Sequence, residues 1–389
     1  SEYPLPEHKI PLQTKVWQQH YAYFSKCFRV WRSRLKYIYK LGMKKIKVLH
    51  LSSERSWRGG EQQIAYLIGE LASLDVENFV AVKSKSAFEA HCQKNSITHT
   101  SLPFRNSIDL ETAWRIRKIC DQYKIDLIHM HSSKSHSMGV LSAAFGNKTP
   151  LILSRRVDFV PGSGWFTRWK YNHPAIKKII CVSEKVNEVM KKYVTFPQKC
   201  VTVHSGIDIS RSFHKPAENI LKKDFGVPEN YILIGNTSAL EHHKDYFTFL
   251  DTISLLVLKK LPVMAFVIGR GSQELALRQY CKQKGLEKNV VFTGFRNDVG
   301  YVLPCLDIFL MTSQEEGLGT SILDAFQARV PVVATAAGGI PEMVIHSQTG
   351  LIAPIGDAAL LAKHIETMIN NPKLKDVLIT GAHAKVKEF

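Results

Sequence analysis

The residues best suited to chemistry lie in one stretch near the C-terminus, 312–324, which reads TSQEEGLGTSILD. Two acids precede two glycines, and a Thr-Ser pair follows that can cap a new helix. Gly317 and Gly319 let backbone N–H groups approach a ligand closely, and the positive end of a helix favours negative charge. The stretch therefore predicts a loop that binds a phosphate-bearing ligand through residues 317–320, with Glu316 beside it.

A second stretch, 338–342, repeats this arrangement after the next apolar run and reads GGIPE. The two glycines favour a turn. Pro341 and Glu342 suit a first helical turn, because Pro has no N–H to leave unpaired there and an acid is stabilised by the helix dipole. We therefore expect a second loop that opens a helix.

Glu316 and Asp324, separated by seven residues, resemble the E-x7-E motif of the retaining GT-B glycosyltransferases of family 4. Residues 338–342 and 349–352 resemble the next element of that family. The resemblance implies that Glu316 lies at the transferred sugar and that Asp324 holds the ribose hydroxyls of the nucleotide. Asp324 is one methylene shorter than the usual Glu, and it has an alternative explanation, since Ser321 and Asp324 fit a capping box.

Transfer from a nucleotide-sugar requires donors that neutralise the departing diphosphate. The resemblance implies that Lys244 binds it, but Ala239 stands where the family usually has an arginine. Arg155 or Arg156 from the first half of the chain is the expected replacement, because a guanidinium fork matches phosphate. Further candidates for the donor site are backbone amides and one nearby arginine: Gly59, Gly60, Gly317, Leu318, Gly319, Thr320 and Arg270.

Two features of the first half resemble parts of the family site. Gly59 and Gly60 resemble its glycine loop, although a tight turn into a helix is the simpler explanation. His131, at a predicted strand end, resembles the family histidine that points into the cleft near the sugar, although a histidine there is often structural. Glu316, His131 and Lys244 are thus the catalytic candidates.

The resemblance implies a same-face displacement, in which the leaving phosphate oxygen takes the proton of the acceptor. The chain contains no Asp-x-Asp, which agrees with a reaction that needs no metal or other cofactor. His242 and His243 are adjacent but lack a third ligand at suitable spacing, so we predict a variable loop and no metal site there.

Alternating strand and helix patterns must position these residues. We predict two doubly wound, Rossmann-like domains facing a central cleft, the GT-B architecture, over residues 45–215 (acceptor side) and 216–389 (nucleotide-sugar side). Members of the family usually continue beyond such a C-terminus into a helix that crosses back, so a complete member is expected to be longer. The predicted strands are 46–51, 78–82, 97–102, 127–130, 151–153, 179–182 and 201–203, then 231–236, 263–268, 290–292, 308–311, 331–334 and 351–353.

Residues 1–44 form a basic extension with no counterpart in the family core. Ten Lys or Arg and two Glu lie within the first 45 residues of a chain whose net charge is +18. We predict a basic amphipathic helix over residues 14–40 that packs on the first domain, forms a dimer seam, or lies on an anionic membrane. Its apolar stripe consists of Trp17, Tyr21, Phe24, Phe28, Trp31, Leu35 and Ile38.

The sequence predicts a retaining glycosyltransferase that moves a hexose-type sugar from a nucleoside-diphosphate sugar to a cell-envelope glycan or lipid-linked acceptor. Seven scattered cysteines without a C-x-x-C pair favour a cytoplasmic protein, in this case peripheral on the inner face of the membrane. One alternative is a catalytically weakened sugar-nucleotide-binding partner protein, and another is a sugar-nucleotide 2-epimerase. Charge alone also suits nucleic acid, but no reader motif is present, and we expect no nucleic-acid partner.

Overall fold

The computed structural model describes residues 45–208, 213–214 and 216–389. The first part of this range forms a parallel sheet of seven strands in the order β3-β2-β1-β4-β5-β6-β7. The strands are β1 Ile46–Ser52, β2 Val76–Lys83, β3 His99–Leu102, β4 Leu127–Met130, β5 Leu151–Arg155, β6 Ile176–Cys181 and β7 Cys200–Thr202. The helices between them are α1 Gly59–Ala72, α2 Ala87–Lys94, α3 Leu110–Tyr123, α4 Ser133–Ala144, α5 Trp165–Asn172 and α6 Glu184–Tyr193.

The second part forms a parallel sheet of six strands in the order β10-β9-β8-β11-β12-β13. The strands are β8 Ile232–Thr237, β9 Val263–Ile268, β10 Val290–Gly294, β11 Ile308–Met311, β12 Val332–Thr335 and β13 Leu351–Ala353. The helices are α7 Ile220–Phe225, α8 Tyr246–Leu258, α9 Glu274–Gln283, α10 Val299–Val302, α11 Thr320–Gln327, α12 Ala358–Asn370 and α13 Pro372–Lys385.

The central strands are apolar on both faces, as strands covered by helices on two sides must be. All four residues of β11 and all four of β12 are buried. Each predicted strand is present, with ends shifted by at most a few residues, and the prediction of two doubly wound domains is confirmed. The boundary near residue 215 stays a prediction, and the predicted helix over 14–40 lies outside the described residues.

Each sheet reverses its strand order at one point, between β1 and β4 in the first and between β8 and β11 in the second. In open α/β sheets, ligands bind beyond the carboxyl ends of the strands at such a reversal. The glycine loop before α1 and His131 follow the first pair of strands, whereas Lys244 and Glu316 follow the second pair. The sequence candidates therefore lie at the two places where this fold forms crevices.

The two sheets meet through a carboxylate that crosses between them. Glu342 accepts hydrogen bonds from the backbone N–H groups of Glu184 (2.9 Å) and Lys185 (3.0 Å) at the start of α6. His204, which follows β7, lies with its Nε2 2.8 Å from the same carboxylate. Burial favours a higher pKa for Glu342, but these hydrogen bonds outweigh it and lower the pKa. The second domain thus caps a helix of the first.

The described helices include none that is both long and apolar enough to cross a bilayer.

Candidate active site

Lys244 and Glu316 form an ion pair between the loops that follow β8 and β11. Ser313 Oγ donates to Glu316 Oε2 over 3.3 Å, which fixes the carboxylate further. The loops are also joined through the backbone, because Gln314 N–H donates to His243 O over 2.8 Å. The side chains of the pair are 14% and 13% exposed, so both remain within reach of a ligand in the crevice.

The glycine loop after Glu316 opens helix α11 without a side-chain cap. Gly319 occupies the N-cap position with a φ of 92°, a left-handed conformation that favours glycine. The helix begins at Thr320, so Ser321 lies inside its first turn, and the capping-box explanation of Ser321 and Asp324 is wrong. Asp324 lies one turn into the helix and is partly buried, and its contact with a ribose stays a prediction.

The first domain forms the opposite wall and touches this loop directly. A Cβ placed on Gly317 would lie 2.0 Å from the carbonyl oxygen of Arg156, so only glycine allows this approach. Asp158 Oδ2 accepts a hydrogen bond of 3.2 Å from the backbone N–H of Glu316. A carboxylate of the first domain thus occupies the amide just before the four amides, 317–320, that were expected to bind the ligand, and no sequence pattern marks this role of Asp158.

The two neighbouring arginines, both expected to bind the donor, lie on opposite faces of β5. Arg155 is buried, and its guanidinium donates to the hydroxyl of Tyr171 (2.9 Å) and to the carbonyl of Phe159. The geometry does not support donor binding by Arg155, because these structural contacts hold it on the side of α5. Arg156 faces the other way, donates to Ser205 Oγ over 3.1 Å, and places its Cδ beside Gly60. Burial lowers the pKa of Arg156 to about 10, so it stays charged.

Gly59 and Gly60 begin helix α1 and face the second domain. A Cβ on Gly59 would lie 4.0 Å from Thr320 Oγ1, so this helix start lies beside that of α11. Glu61 holds the turn, since its carboxylate accepts from Arg58 N–H (3.2 Å) and from Ser52 Oγ (3.3 Å). Burial raises the pKa of Glu61. The two explanations of Gly59 and Gly60, a loop that contacts the donor and a tight turn into a helix, are therefore compatible.

Arg270 lies apart from the ion pair. It is exposed beside Gly294, at the carboxyl ends of β9 and β10. The glycines on either side of it pack against the backbone of Ser238 and Leu240, in the loop that leads to Lys244. The role of Arg270 beside the donor stays a prediction. The side chain of Leu318 is buried, so only its backbone N–H can contact a ligand.

His131 belongs to a buried cluster with two histidines that the sequence did not single out as a group, His50 and His129. Nδ1 of His50 and Nε2 of His131 lie 3.1 Å apart, and the other nitrogen of His50 lies 3.0 Å from Asn78 Oδ1. Burial lowers the pKa of His50 to about 4 and that of His131 well below its usual value. In the described residues these three histidines are a group whose ligand atoms, all within 4.8 Å of one another, suit a metal ion.

Two family profiles match the chain. The profile of Glycosyltransferase Family 4 matches residues 57–211, and that of Glycosyl transferases group 1 matches residues 218–385. The chain belongs to glycosyltransferase family 4. The resemblance drawn from Glu316, Asp324 and the glycine loops is thereby confirmed at the level of the family.

Curated relatives of this family 4 glycosyltransferase include two bacterial enzymes. It is 20% identical to the N-acetylgalactosamine-N,N'-diacetylbacillosaminyl-diphospho-undecaprenol 4-alpha-N-acetylgalactosaminyltransferase of Campylobacter jejuni, over 85% of this chain and 92% of that protein. It is 23% identical to the UDP-Gal:alpha-D-GlcNAc-diphosphoundecaprenol alpha-1,3-galactosyltransferase of Escherichia coli, over 64% of this chain and 67% of that protein.

Among solved structures, HepE of Anabaena in complex with UDP-glucose resembles this family 4 glycosyltransferase. The TM-score is 0.77 at 22% identity, over 88% of this chain and 95% of that one. At this level of identity the likeness shows the fold, which is GT-B.

Proposed function

We propose that this glycosyltransferase is a retaining enzyme that moves a hexose-type sugar from a nucleoside-diphosphate sugar to a cell-envelope glycan or a lipid-linked acceptor. The observation that carries the proposal is the Lys244–Glu316 ion pair at the strand-order reversal of the second sheet. It lies on the loop that touches the Arg156 backbone of the first domain. Opposite charges, glycine amides and a facing arginine meet where a GT-B crevice binds its ligand.

Donor binding is an exchange of partners at this pair. The diphosphate replaces Glu316 as the partner of the Lys244 ammonium. The carboxylate of Glu316 is then free to accept hydrogen bonds from hydroxyls of the sugar. Arg156 and the N–H groups of residues 317–320 complete the neutralisation of the phosphates. Groups fixed in advance stabilise the charge that develops as the diphosphate leaves.

The proposed transfer proceeds on one face of the sugar. The bond from the anomeric carbon to the phosphate oxygen breaks, the acceptor hydroxyl attacks from the same side, and its proton passes to the departing phosphate oxygen. This route requires no enzyme nucleophile and no metal, in keeping with a chain that lacks Asp-x-Asp. The residues named here bind and orient the donor and neutralise its charge.

The acceptor is proposed from chemistry and from relatives. Two curated relatives are named for diphospho-undecaprenol acceptors. A net charge of +18 favours an anionic acceptor or an anionic membrane surface. A lipid diphosphate satisfies both, and the enzyme would meet it from the cytoplasmic side.

The test combines binding and turnover. Thermal shift against UDP-, GDP- and ADP-sugars identifies the donor, because a ligand that binds only the native state raises the Tm. Transfer to a polyprenyl-diphospho-sugar is then measured with and without EDTA, and the anomeric configuration of the product is read by NMR. We expect a product with the donor's configuration in both conditions.

Two results would overturn the proposal. Tight donor binding with no turnover on any acceptor indicates a binding partner protein. Conversion of the nucleotide-sugar to its epimer without an acceptor indicates an epimerase. Glu316→Gln is the active-site control, with Glu315→Gln as an exposed neighbour matched in chemistry.

A further inference from the structure

The buried histidine cluster lies on one face of the first sheet, at its strand-order reversal. His50 on β1 and His129 on β4 are register partners, and His131 lies two residues after His129, just past the end of β4. Side chains two residues apart on a strand point to the same face, so the three rings lie together. The ring centroids of His129 and His131 are 3.9 Å apart.

Asn78 on β2 sets the direction of the hydrogen bonds that enter this cluster. Its Nδ2 donates to the carbonyls of Val76 (3.1 Å) and Ile68 (3.4 Å), which fixes the orientation of the amide. Its Oδ1 therefore faces Nε2 of His50 at 3.0 Å. Because a carbonyl oxygen only accepts, Nε2 of His50 must carry the proton.

The same logic passes to His131. His50 is fully buried, with its pKa lowered to about 4, so it carries one proton at neutral pH and its Nδ1 has a lone pair. This lone pair faces Nε2 of His131 at 3.1 Å, so Nε2 of His131 must donate. His131 is also neutral, which leaves its Nδ1 without a proton. That nitrogen is buried and has no hydrogen-bond partner among the described residues.

We propose that Asn78 and His50 are positioning residues that hold His131 as its Nε2–H tautomer and thereby present Nδ1 as an acceptor for a hydroxyl of the bound sugar. The proposal rests on the proposed function, because it assigns that hydroxyl to the donor. A buried nitrogen without a partner is unfavourable and calls for an explanation. A hydroxyl of the substrate supplies the missing donor.

A metal ion bound by the three histidines is the competing explanation. An ion on Nε2 of His131 would leave the proton on Nδ1, whereas an ion on Nδ1 would leave the proton on Nε2. The second nitrogen of a metal-bound histidine almost always donates to a partner. Nδ1 of His131 has no hydrogen-bond partner among the described residues, which disfavours an ion on Nε2. An ion on Nδ1 is distinguished by the effect of EDTA on the ring nitrogen shifts.

The first experiment reads the tautomer without any substrate. In full-length protein labelled with 15N-histidine, ring nitrogen shifts are assigned by the signals that disappear in His131→Gln. We expect a protonated Nε2 and an unprotonated Nδ1 on His131. A protonated Nδ1, or copurifying metal whose removal by EDTA changes these shifts, would overturn the proposal.

The second experiment reverses the direction of the hydrogen bonds from Asn78 through His50 to His131. Asn78→Asp places a carboxylate on Nε2 of His50, which favours the doubly protonated ring, so Nδ1 of His50 donates and His131 shifts to its Nδ1–H tautomer. Asn147→Asp is the control, because Asn147 is a buried amide that contacts Ser142 and Cys120 away from the cluster. Unfolding midpoints show whether both variants fold.

The functional readout compares UDP with UDP-glucose, or their GDP or ADP counterparts if those raise the Tm. We expect Asn78→Asp to weaken binding of the nucleotide-sugar at least tenfold and to leave binding of the nucleoside diphosphate unchanged, because only the sugar meets His131. Equal loss for both ligands, or no loss for either, would overturn the role of Nδ1. The NMR result stands apart from turnover: the expected tautomer in a protein without transferase activity refutes the proposed function but not the chain of hydrogen bonds.

Discussion

Lys244 and Glu316 neutralise each other, although they lie 72 residues apart on loops after two neighbouring strands. The pair is largely shielded from solvent, so each charge depends on the other. A donor that binds here must offer its own charges in exchange. The ion pair therefore links the stability of the fold to the affinity of the site for the diphosphate.

Glu316→Gln separates these two effects. We expect kcat to fall by about 10²-fold or more, because the carboxylate no longer holds the sugar. Affinity for the nucleoside diphosphate should rise, because Lys244 is released from its partner. The free energy of unfolding should fall by about 1–3 kcal/mol with the loss of a charge-assisted hydrogen bond. Steady-state kinetics, calorimetric titration and urea unfolding measure the three quantities.

Glu315→Gln is the matched control, since Glu315 is the adjacent acid and is exposed. It should change none of the three quantities by more than a small factor. Unchanged nucleotide affinity in Glu316→Gln would contradict the exchange of partners. Unchanged kcat would remove Glu316 from the catalytic site.

Arg155 and Arg156 provide a test in which neighbours of the same type have different roles. Arg156→Gln should weaken donor binding by about 10-fold or more with a small change in stability, because its side chain packs beside Gly60 at the start of α1. Arg155→Gln should lower the free energy of unfolding by about 1–3 kcal/mol and leave donor affinity intact, because it removes the hydrogen bonds to the buried hydroxyl of Tyr171 and to the carbonyl of Phe159. Weaker donor binding in Arg155→Gln at unchanged stability would reverse the assignment.

These arginines also show what the sequence could predict. The strands were predictable because uninterrupted apolar runs end at polar loops, and the candidate residues were found because those loops follow strands. The two arginines could not be told apart from the sequence because β5 was expected to end at residue 153, whereas it continues through Arg155. Strand alternation then sends Ser154 and Arg156 to one face and Arg155 to the other.

Contacts between the domains could not be read from the sequence. Asp158 and Glu342 each bond to backbone groups 158 residues away in the chain, and no local pattern marks such a partner. Asn78 and His50 lie on neighbouring strands, and their contact depends on the register of β1 and β2. Knowledge of strand order and register would have revealed the histidine cluster, because it places His50 opposite His129.

The buried histidines predict loss of stability in mild acid. Burial lowers the pKa of His50 to about 4; the pKa of His136 falls to about 3 through burial and the nearby charge of Lys170. In the unfolded chain these groups have pKa values near 6.5 and bind protons that the native state rejects. The free energy of unfolding should therefore decrease as pH falls from about 6.5 to 4, by up to about 1.4 kcal/mol per pH unit for each histidine.

Urea unfolding at pH 7.5, 6 and 5 measures this dependence. His136→Gln should reduce the slope of the unfolding free energy against pH between pH 6 and 5, by up to the contribution of one proton. The amide can still donate to the carbonyl of Lys170, so the hydrogen bond is kept. His242→Gln, at an exposed position, should leave the slope as it is. Identical slopes in the wild type and His136→Gln would show that His136 is protonated in the native state.

Glu342 should control how firmly the domains close. Glu342→Gln keeps the shape of the side chain but removes the charge that accepts from the start of α6 and from His204. Charge-assisted hydrogen bonds contribute about 1.5–3 kcal/mol, so the ratio of closed to open molecules should fall by about tenfold or more. Small-angle scattering should report a larger radius of gyration without donor, and the KM for donor should rise.

Glu188→Gln is the control for that experiment, because Glu188 is an exposed acid on the same helix. It should leave the radius of gyration and the KM unchanged. The pKa of Glu342 is lowered in the folded state, so the contact contributes stability at neutral pH and is lost as pH falls through that pKa. Scattering curves of wild type and Glu342→Gln should converge once the pH falls below this lowered pKa, where the carboxyl of the wild type is protonated.

Gly338 tests whether the close approach of the two loops holds Glu316 in place. A Cβ on Gly338 would lie 1.7 Å from the backbone oxygen of Glu316 and 2.5 Å from Asp158 Oδ2, at a φ of +48°. Gly338→Ala must therefore displace the Glu316 backbone. We expect a loss of more than about 3 kcal/mol in the free energy of unfolding and the loss of donor binding.

Gly356→Ala separates steric contact from backbone strain. Gly356 has a φ of +78°, but a Cβ there would meet nothing within 4 Å. The free energy of unfolding of this variant should fall only by the cost of placing alanine in a left-handed conformation, about 1–2 kcal/mol. The variant should bind donor normally. An equal fall in the free energy of unfolding in the two variants would mean that the Glu316 loop moves aside at no energetic cost. Glu316 would then be held by the Lys244 ion pair and not by the packing of one loop on the other.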